Sequence, residues 1–370
     1  MLLLLKHNLT VATRDALLQR IRSLGYEPRL HEHLMGQGLH AVVVQATVAA
    51  DHVAMIGLLR GVDRVVERGE AHPLVDRATR QGSRVVEIGG SHGGTATRIG
   101  PGTLTVIAGP CAVESLDTLL LLARRVQAAG ADLLRAGAFK PRTSPYSFQG
   151  LGRDGIQILT DVRRQTGLPF VTEVLDPRDV GFVAEHADML QVGSRNQQNF
   201  TLLREVGRTR TPVLLKRGMA CTLKEFLLAA EYVLEQGNER VVLCERGVRG
   251  FDPAARNLLD LAAVPALAER TWLPVVVDPS HGTGRRDLVP AMAKAAVAAG
   301  ADGVMLEVHH SPETALSDGR QALTPSELDG LLPALLAHAR LEGRRPARAL
   351  AGDREGRWEQ VGSAGSVAEP

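Results

Sequence analysis

Four side chains of metal-binding type stand at the ends of short apolar runs. Cys111 follows the first of these runs and His281 follows the seventh. Glu307 and Asp318 belong to the eighth run and the segment after it. One thiolate, one imidazole and two carboxylates suit a borderline divalent ion such as Mn²⁺, Fe²⁺, Co²⁺ or Zn²⁺. Spacing alone leaves open that Cys111 is a small buried hydrophobe and that the other three only bond loops.

Basic side chains gather at the same kind of position. They lie at or after the ends of the apolar runs, in segments with Gly and Pro, whereas most charged residues occupy solvated helix faces. Arg presents a planar fork that matches phosphate and carboxylate. We therefore predict a site for ligands with more than one anionic group. The six cations are Arg135, Lys140, Arg142, Arg195, Lys216 and Arg256.

The elements that would position these side chains form a regular alternation. Eight apolar runs, each followed by a helix-compatible stretch, predict an α/β protein with a (β/α)8 TIM barrel. A doubly wound sheet is the alternative, but it usually has fewer strands. The carboxyl ends of barrel strands share one mouth, and strand eight closes against strand one. The runs are Leu104–Gly109, Asp132–Ala138, Pro169–Val174, Met189–Ser194, Pro212–Arg217, Arg240–Glu245, Pro274–Asp278 and Gly303–Val308. The helical stretches start near Ser115, Gly155, Pro177, Asn199, Thr222, Pro253, Arg286 and Thr324.

The segments on either side of this alternation differ in pattern. Residues 1–72 have the order β-α-β-β-α-β, which predicts a small ferredoxin-like α+β domain. Residues 73–103 are rich in Gly and predict a linker with a short hairpin. The barrel is expected over 104–342. Residues 343–370 have no apolar period and predict a disordered tail.

Composition excludes several classes of protein. A formal net charge of +2 without charge blocks argues against a nucleic-acid binder. The four leucines after Met1 are interrupted by Lys6, and no run is long enough to span a membrane. Three cysteines without a CxxC pair indicate reduced thiols and a cytoplasmic protein. Only five of the 43 basic residues are Lys, so Lys140 and Lys216 stand out where Arg is the usual choice.

Several motifs in the barrel segment occur together and in a characteristic order. They resemble those of the 3-deoxy-D-arabino-heptulosonate 7-phosphate (DAHP) synthase family. The N-terminal domain is similar in position and length to the regulatory domain of its type I-beta subgroup. The motifs are GPCAVES at 109–115, LRAGAFKPRTSPYSFQGLG at 134–152, QVGSRNQQNF at 191–200, PVLLKRG at 212–218, CERG at 244–247, ARNLLD at 255–260, VDPSHGTGRRDLV at 277–289 and SDGRQAL at 317–323.

This resemblance implies the first step of the shikimate pathway. Phosphoenolpyruvate and erythrose 4-phosphate would condense with water to give DAHP and phosphate, with the help of one divalent metal ion. The implied metal ligands are Cys111, His281, Glu307 and Asp318. The implied phosphoenolpyruvate residues are Arg135, Lys140, Glu173, Arg195, Lys216 and Arg256. The implied erythrose 4-phosphate residues are Arg142, Thr143 and Ser144.

The resemblance also suggests catalytic roles for Lys140, Glu173 and His281. Lys140 would protonate the new alkoxide or relay protons as a general acid. Glu173 would position the attacking water. Arg195, Lys216 and Arg256 would clamp the phosphate of phosphoenolpyruvate, and Arg135 with Lys140 would take its carboxylate.

Three alternative functions differ from this one in sequence or in chemistry. A 3-deoxy-octulosonate 8-phosphate synthase uses arabinose 5-phosphate and would carry a KANRSS-like loop, where this chain has KPRTS at 140–144. A Schiff-base aldolase would use Lys216 as its nucleophile and need no metal. An inactive regulatory barrel would have lost a ligand or a clamp residue, and none is missing.

The N-terminal domain predicts regulation and assembly. Ferredoxin-like domains can pair across subunits, and the resemblance implies a homotetramer with an aromatic amino acid, tyrosine or phenylalanine, bound between the domains. The alternative is that residues 1–72 serve only oligomerisation or stability.

Overall fold

The computed structural model describes residues 1–6, 9–31, 41–44, 46–66, 72, 74–77, 85–90, 95–142 and 144–347. The strands are β1 Leu2–Leu5, β2 Pro28–His31, β3 Ala41–Val44, β4 Val62–Val66, β5 Val86–Ile88, β6 Thr97–Ile99, β7 Thr103–Gly109, β8 Leu133–Arg135, β9 Phe170–Glu173, β10 Met189–Val192, β11 Val213–Lys216, β12 Val241–Glu245, β13 Val275–Val277, β14 Gly303–Glu307 and β15 Arg345–Pro346. The α-helices are α1 Val11–Ser23, α2 Ala50–Gly57, α3 Leu116–Ala129, α4 Gly152–Thr166, α5 Val180–His186, α6 Phe200–Arg208, α7 Leu223–Glu235, α8 Ala263–Arg270, α9 Pro279–Thr283, α10 Val289–Ala298 and α11 Pro325–Leu341.

Strands β7 to β14 form a closed parallel barrel, which confirms the predicted (β/α)8 architecture. Each strand pairs with its sequence neighbour, and β14 pairs with β7, with Gly303 opposite Thr105 and Glu307 opposite Gly109. The strands are buried almost throughout because helices cover them from outside. Closure brings the carboxyl ends of β7, β13 and β14 together, and these strands precede or carry the four metal-ligand candidates.

Local signals start helices α3, α7 and α11 where the sequence predicts them. Thr222 and Glu225 form a reciprocal capping box at α7, and Thr324 and Glu327 form another at α11. The Ser115 hydroxyl accepts from Thr118 N at the start of α3. These caps fix the points at which the loops of the mouth end and the helices begin.

The β5–β6 hairpin closes the amino-terminal end of the barrel. Its two strands pair antiparallel, with Val86 opposite Ile99. Val86, Ile88 and Ile99 are fully buried and pack with the inward-facing side chains of the barrel strands, among them Met305. The hairpin therefore excludes water from the end of the barrel opposite the mouth.

The N-terminal segment folds into a four-stranded antiparallel sheet of order β2-β3-β1-β4 with helices α1 and α2. One sheet face packs on the helices through residues such as Leu3, Ile21 and Val42. On the other face, Ala41 and Val43 join the hydrophobic cluster that includes the barrel core. This domain is thus docked on the barrel.

A short segment after the N-terminal domain adds polar links to the outer helices. The backbone N–H groups of Leu74 and Val75 donate to the Glu231 carboxylate on α7 at 2.8–3.0 Å. Trp272 Nε1 donates to the carbonyl of Leu74 at 2.8 Å. The domain is therefore connected to the barrel by hydrogen bonds as well as by apolar contact.

The first residues of the segment expected to be a disordered tail, 343–347, are ordered in the structure. Arg345–Pro346 pair in parallel with the start of β7. The Arg344 guanidinium donates to the carbonyls of Val297 and Ala301 at the end of α10, which holds this segment in place. Residues 348–370 lie outside the described part of the chain.

The helix expected from Pro253 is also different. Residues 253–262 form a loop, and α8 starts only at Ala263. Arg256 N and Asn257 N donate to the carbonyls of Thr283 and Gly282, at 2.8 and 3.1 Å. Because these backbone groups bond to the loop after β13, they are not available to a helix, and Arg256 is carried to the mouth.

In the residues that the structure describes, no helix has both the length and the apolar character needed to cross a membrane.

Candidate active site

The four metal-ligand candidates converge at the mouth of the barrel. One ligand atom from each of Cys111, His281, Glu307 and Asp318 lies within 4.8 Å of all the others. Cys111 and Glu307 are 2% and 1% exposed. The thiol of Cys111 lies 3.2 Å from Asp318 Oδ2, and His281 Nε2 lies 3.4 Å from Glu307 Oε2. Barrel closure thus brings together four residues that span more than 200 positions of sequence.

Asp318 is held in an unusual backbone conformation. Its φ of 53° is the one positive value among the non-glycine residues that the structure describes. This left-handed geometry is uncommon for residues other than Gly, although Asp and Asn adopt it more readily than most, and it has a local conformational cost. The strain aims the carboxylate at Cys111, from the segment between β14 and α11.

Burial and neighbouring charges set the protonation of the cluster. Burial raises the pKa of Glu307 to about 7, against the opposing effect of Arg135. Burial also raises the pKa of the Cys111 thiol, and the Lys140 ammonium opposes it. Burial opposes ionisation of Asp318, but the Arg256 charge, the hydrogen bond from the Cys111 thiol and the Lys140 charge together hold the pKa of Asp318 far below its ordinary value. A cation bound among these side chains would favour the charged forms of Glu307 and Cys111.

Asp278 orients the imidazole of His281. It caps α9 by accepting from His281 N at 2.9 Å, and its Oδ2 lies 2.8 Å from His281 Nδ1. The free Nε2 then faces the cluster, as a metal ligand requires. Burial holds the pKa of His281 well below its ordinary value, so the ring is neutral.

Lys216 is one of the buried cations of the mouth. Its ammonium contacts Asp278 Oδ2 at 2.5 Å, and both side chains are buried. Although burial opposes it, the Lys216 charge, with a smaller contribution from Arg135, keeps the pKa of Asp278 well below its ordinary range. Lys216 therefore pairs with the carboxylate beside His281 while it also lines the cavity of the mouth.

Lys140 stands between the metal cluster and the open mouth. Its Nζ donates to the Cys111 carbonyl and lies 2.9 Å from both that oxygen and Cys111 Sγ. Gly137 makes room for it, because a Cβ at this position would lie 3.1 Å from Nζ and 2.9 Å from the carbonyl of Cys111. On the far side of the cluster, Arg135 Nη1 donates to Glu307 Oε2 at 3.0 Å.

A cavity of about 290 Å³ opens above the cluster. Glu173 projects into it, fixed by Gln191 Nε2 at 3.1 Å. Gly193 leaves the space for Glu173, since a Cβ there would lie 2.0 Å from Glu173 Oε1. Of the residues expected at the site, the cavity is lined by Arg135, Lys140, Arg142, Ser144, Glu173, Arg195, Lys216, Arg256, His281 and Asp318. Cys111 and Glu307 lie just beneath it. Thr143 is outside the described residues.

Sequence reasoning missed Arg246, which lines the same cavity. Its side chain is buried, and Nη1 has no hydrogen-bond partner among the described residues. Burial lowers the pKa of this guanidinium, with Arg256 and Arg195 adding to the effect. A buried cation is stabilised by anions. Asp278 already opposes the lowering of this pKa, and an anionic ligand in the cavity would do the same. The signal was present in CERG, where Arg246 follows β12 directly.

Gln321 is a second omission. Its amide donates to Glu307 Oε2 at 3.0 Å, and its oxygen accepts from Arg256 Nη1 at 3.1 Å. Gln321 therefore links a metal-ligand candidate to a cation of the mouth. Nothing in its sequence position, inside a short turn after Asp318, indicates this contact.

The fold and the site define a barrel enzyme whose mouth has a possible metal-binding group and many cations suited to anionic substrates. Residues 83–339 match the DAHP synthetase I family. A curated relative from Thermotoga maritima, phospho-2-dehydro-3-deoxyheptonate aldolase, is 46% identical over 75% of this chain and 79% of its own. A 2-dehydro-3-deoxyphosphooctonate aldolase from Syntrophobacter fumaroxidans is 36% identical over 64% of this chain and 88% of its own.

Solved structures agree with this relationship. The crystal structure of the Thermotoga maritima DAHP synthase has a TM-score of 0.73 and 39% identity, covering 93% of this chain and 98% of that one. A truncated form of the Thermotoga maritima synthase has a TM-score of 0.68 and 41% identity, covering 74% and 99%.

The chain belongs to the DAHP synthetase I family. Its activity is the condensation of phosphoenolpyruvate with erythrose 4-phosphate, the first step of the shikimate pathway. The expected enzyme class is thereby confirmed.

Proposed function

We propose that Cys111, His281, Glu307 and Asp318 bind one divalent metal ion for this reaction, Mn²⁺, Fe²⁺, Co²⁺ or Zn²⁺. The observation that carries the proposal is Glu307 Oε1, a buried oxygen without a hydrogen-bond partner in the described residues. Buried polar atoms are rarely left unpaired, and a cation among four donors would satisfy this one. The mixed donor set suits the metals named. When bound, the ion supplies a Lewis acid for the aldehyde oxygen of erythrose 4-phosphate.

Phosphoenolpyruvate would occupy the deeper part of the cavity. Its phosphate is expected near Arg195, Lys216 and Arg256. Arg246 lines the same cavity, and its buried Nη1 has no hydrogen-bond partner among the described residues. Its carboxylate is expected near Arg135 and Lys140, which border the metal cluster. Charged donors of this kind bind dianions strongly when they are shielded from water.

Erythrose 4-phosphate would enter from the outer part of the mouth. Arg142 and Ser144 line the cavity there, on the loop between β8 and α4. The backbone carbonyl of Phe148 accepts from Arg142 Nε at 3.0 Å and orients the guanidinium. Thr143 is proposed as a third contact from its position between these two residues.

The reacting carbons are brought together between these two sets of cations. C3 of phosphoenolpyruvate attacks the aldehyde carbon, water adds at C2, and the hemiketal phosphate expels phosphate by C–O cleavage. Lys140, 2.9 Å from Cys111 Sγ, is placed to donate a proton to the new alkoxide as a general acid. Glu173, held by Gln191, would position the water. Neutralising both phosphates removes the repulsion between the substrates.

One assay tests the assignment of substrates and the requirement for metal. Phosphoenolpyruvate consumption is followed with erythrose 4-phosphate and with arabinose 5-phosphate, each with and without EDTA. We expect consumption with erythrose 4-phosphate, lost in EDTA and restored by added divalent metal. Full activity in EDTA, with borohydride trapping of an adduct on Lys216, would instead support Schiff-base chemistry.

We also propose that residues 1–72 form a regulatory domain, that residues 73–103 are a linker and that 104–342 are the catalytic barrel. The four-stranded sheet with two helices supports an effector-binding role, because such domains pair across subunits to form pockets. The effector would be an aromatic amino acid, tyrosine or phenylalanine, and the assembly a homotetramer. The cytoplasm is proposed as its location because the three cysteines are free thiols.

A further inference from the structure

A carboxylate outside the proposed metal cluster joins the two loops that carry Cys111 and Asp318. Glu114 lies three residues after Cys111, and its side chain is 17% exposed. Its backbone is fixed on both sides: Val113 N donates to the Gly137 carbonyl at 3.0 Å, and Ser115 caps helix α3. A rigid backbone at this point allows the side chain to act as a fixed anchor.

The Glu114 carboxylate reaches the segment between β14 and α11. Its Oε1 accepts from the backbone N–H of Leu316 at 2.9 Å and lies 3.4 Å from His309 Nε2. His309 Nδ1 accepts from Ser311 N at 3.1 Å, so a neutral His309 ring carries its proton on Nε2, facing Glu114. Glu114 thus accepts one backbone hydrogen bond from the Asp318 segment and lies beside the ring of His309.

The segment it holds has few other anchors. In the described residues the Asp318 carbonyl accepts from Gln321 N at 3.2 Å, and Arg256 Nη1 lies 3.4 Å from Asp318 Oδ1. Residues 316–318 run between two short 3-10 turns, Pro312–Thr314 and Gly319–Gln321. Within 316–318, Leu316 N is the one backbone donor with a hydrogen-bond partner in the described part of the chain. Asp318, two residues later, has the strained φ of 53°. A strained conformation persists only where its surroundings over-determine it.

The residues next to Leu316 are those that contact Cys111. Ser317 Oγ lies 3.0 Å from Cys111 Sγ, and Asp318 Oδ2 lies 3.2 Å from it. The hydrogen bond from Leu316 to Glu114 therefore ties together the same two loops whose ligand atoms must meet at one ion.

We propose that Glu114 is a positioning residue that holds the 316–318 segment against Cys111 and thereby sets the metal affinity of the site. The inference rests on the proposed metal site. Outer partners of metal ligands commonly affect affinity because they remove the freedom that the ligands would lose on binding. Loss of the Glu114 carboxylate would leave Cys111, His281 and Glu307 in place and release Asp318.

The test is a titration of the metal-free full-length protein with Co²⁺, followed by the thiolate-to-cobalt absorption in the near ultraviolet. Glu114→Ala should weaken Co²⁺ binding about 10- to 100-fold. Glu114→Gln should bind as the wild type does, because its amide oxygen can still accept from Leu316 N. The matched control is Glu313→Ala, an exposed carboxylate of the same segment that contacts only Arg286, at 3.6 Å.

Hydrogen exchange of the peptide spanning residues 311–322 gives a second readout. Faster exchange in Glu114→Ala than in Glu114→Gln, with unchanged exchange in the barrel strands, is expected. Wild-type affinity in Glu114→Ala, or equal losses in both Glu114 variants, would overturn the inference. A Co²⁺ titration that Cys111→Ala leaves unaltered would instead overturn the proposed metal site, so the two failures are distinguishable.

Discussion

At the scale of single residues, the mouth places cations directly beside acids. Arg135 pairs with Glu307, Lys216 with Asp278, and Lys140 with the thiol of Cys111. Buried pairs of this kind have a large desolvation penalty, and removal of one partner leaves the other charge unpaired. The arrangement is therefore better explained by chemistry at the mouth than by stability.

Cys111→Ala tests the metal site. The substitution removes one of four ligands and a small buried volume, so we expect loss of metal-dependent turnover with the fold retained. Turnover with added Mn²⁺ or Co²⁺ and the circular dichroism spectrum are the measurements. Cys221→Ala, a buried cysteine outside the cluster, is the matched control and should remain active. An active Cys111→Ala enzyme would contradict the ligand assignment.

Lys140→Arg tests the proposed proton transfer. Arg retains the positive charge but does not give up a proton at ordinary pH, so kcat should fall by about 10²-fold or more while the KM for phosphoenolpyruvate changes less. Steady-state kinetics in saturating metal separates the two constants. Lys224→Arg, at an exposed position on α7, should have wild-type kinetics. A rise of about the same factor in the KM for phosphoenolpyruvate, with unchanged kcat, would mean that Lys140 only binds substrate.

At the scale of elements, the barrel is stabilised at one end and left open at the other. The β5–β6 hairpin fills the amino-terminal end with Val86, Ile88 and Ile99. The carboxyl-terminal end is not filled by a hairpin. The segments that follow its strands form hydrogen bonds with one another, as when Arg256 N and Asn257 N donate to the carbonyls of Thr283 and Gly282. This division agrees with the rule that barrel enzymes place chemistry at the carboxyl ends of strands.

Asp302 gives the amino-terminal end a pH dependence. Burial raises its pKa to about 6, although it accepts from Val275 N at 2.8 Å. An acid whose folded pKa is raised contributes stability at low pH and loses it as pH rises, here between about 4 and 6. Asp302→Asn keeps an acceptor for Val275 and removes the titration. Between about pH 4 and 6, the free energy of unfolding of Asp302→Asn should change less than that of the wild type. The two changes should differ by at most about 3 kcal/mol.

Chemical denaturation at a series of pH values provides the measurement for Asp302. Asp329→Asn, an exposed carboxylate on α11, is the control and should follow the wild-type profile. If the free energy of unfolding of Asp302→Asn depends on pH just as that of the wild type does, the pKa of Asp302 does not differ between the folded and the unfolded protein.

At the scale of the whole molecule, every described candidate for catalysis lies in the barrel, and the N-terminal domain contacts it from outside. Deletion of residues 1–72 should therefore leave an enzyme that turns over both substrates. It should also abolish inhibition by tyrosine or phenylalanine if the domain is regulatory. Initial rates with and without each amino acid test this, and a truncated enzyme inhibited as strongly as the full chain would refute it.

The eight strand positions, the polar residues at their ends and the family are all readable in the sequence, because strands are apolar and short, helices carry their own caps, and motif residues stand in fixed order. The four metal-ligand candidates follow from the same reading. Their types are encoded locally, one strand end at a time.

Only the tertiary structure decided which partner each of these side chains takes. Lys216 lies on Asp278, Arg246 enters the mouth with an unused donor, Gln321 joins Glu307 to Arg256, and Glu114 holds Leu316. These contacts depend on the closure of β14 on β7 and on the paths of loops between strands. Local periodicity describes which face of an element is buried, but it contains no information on which distant loop will lie beside it.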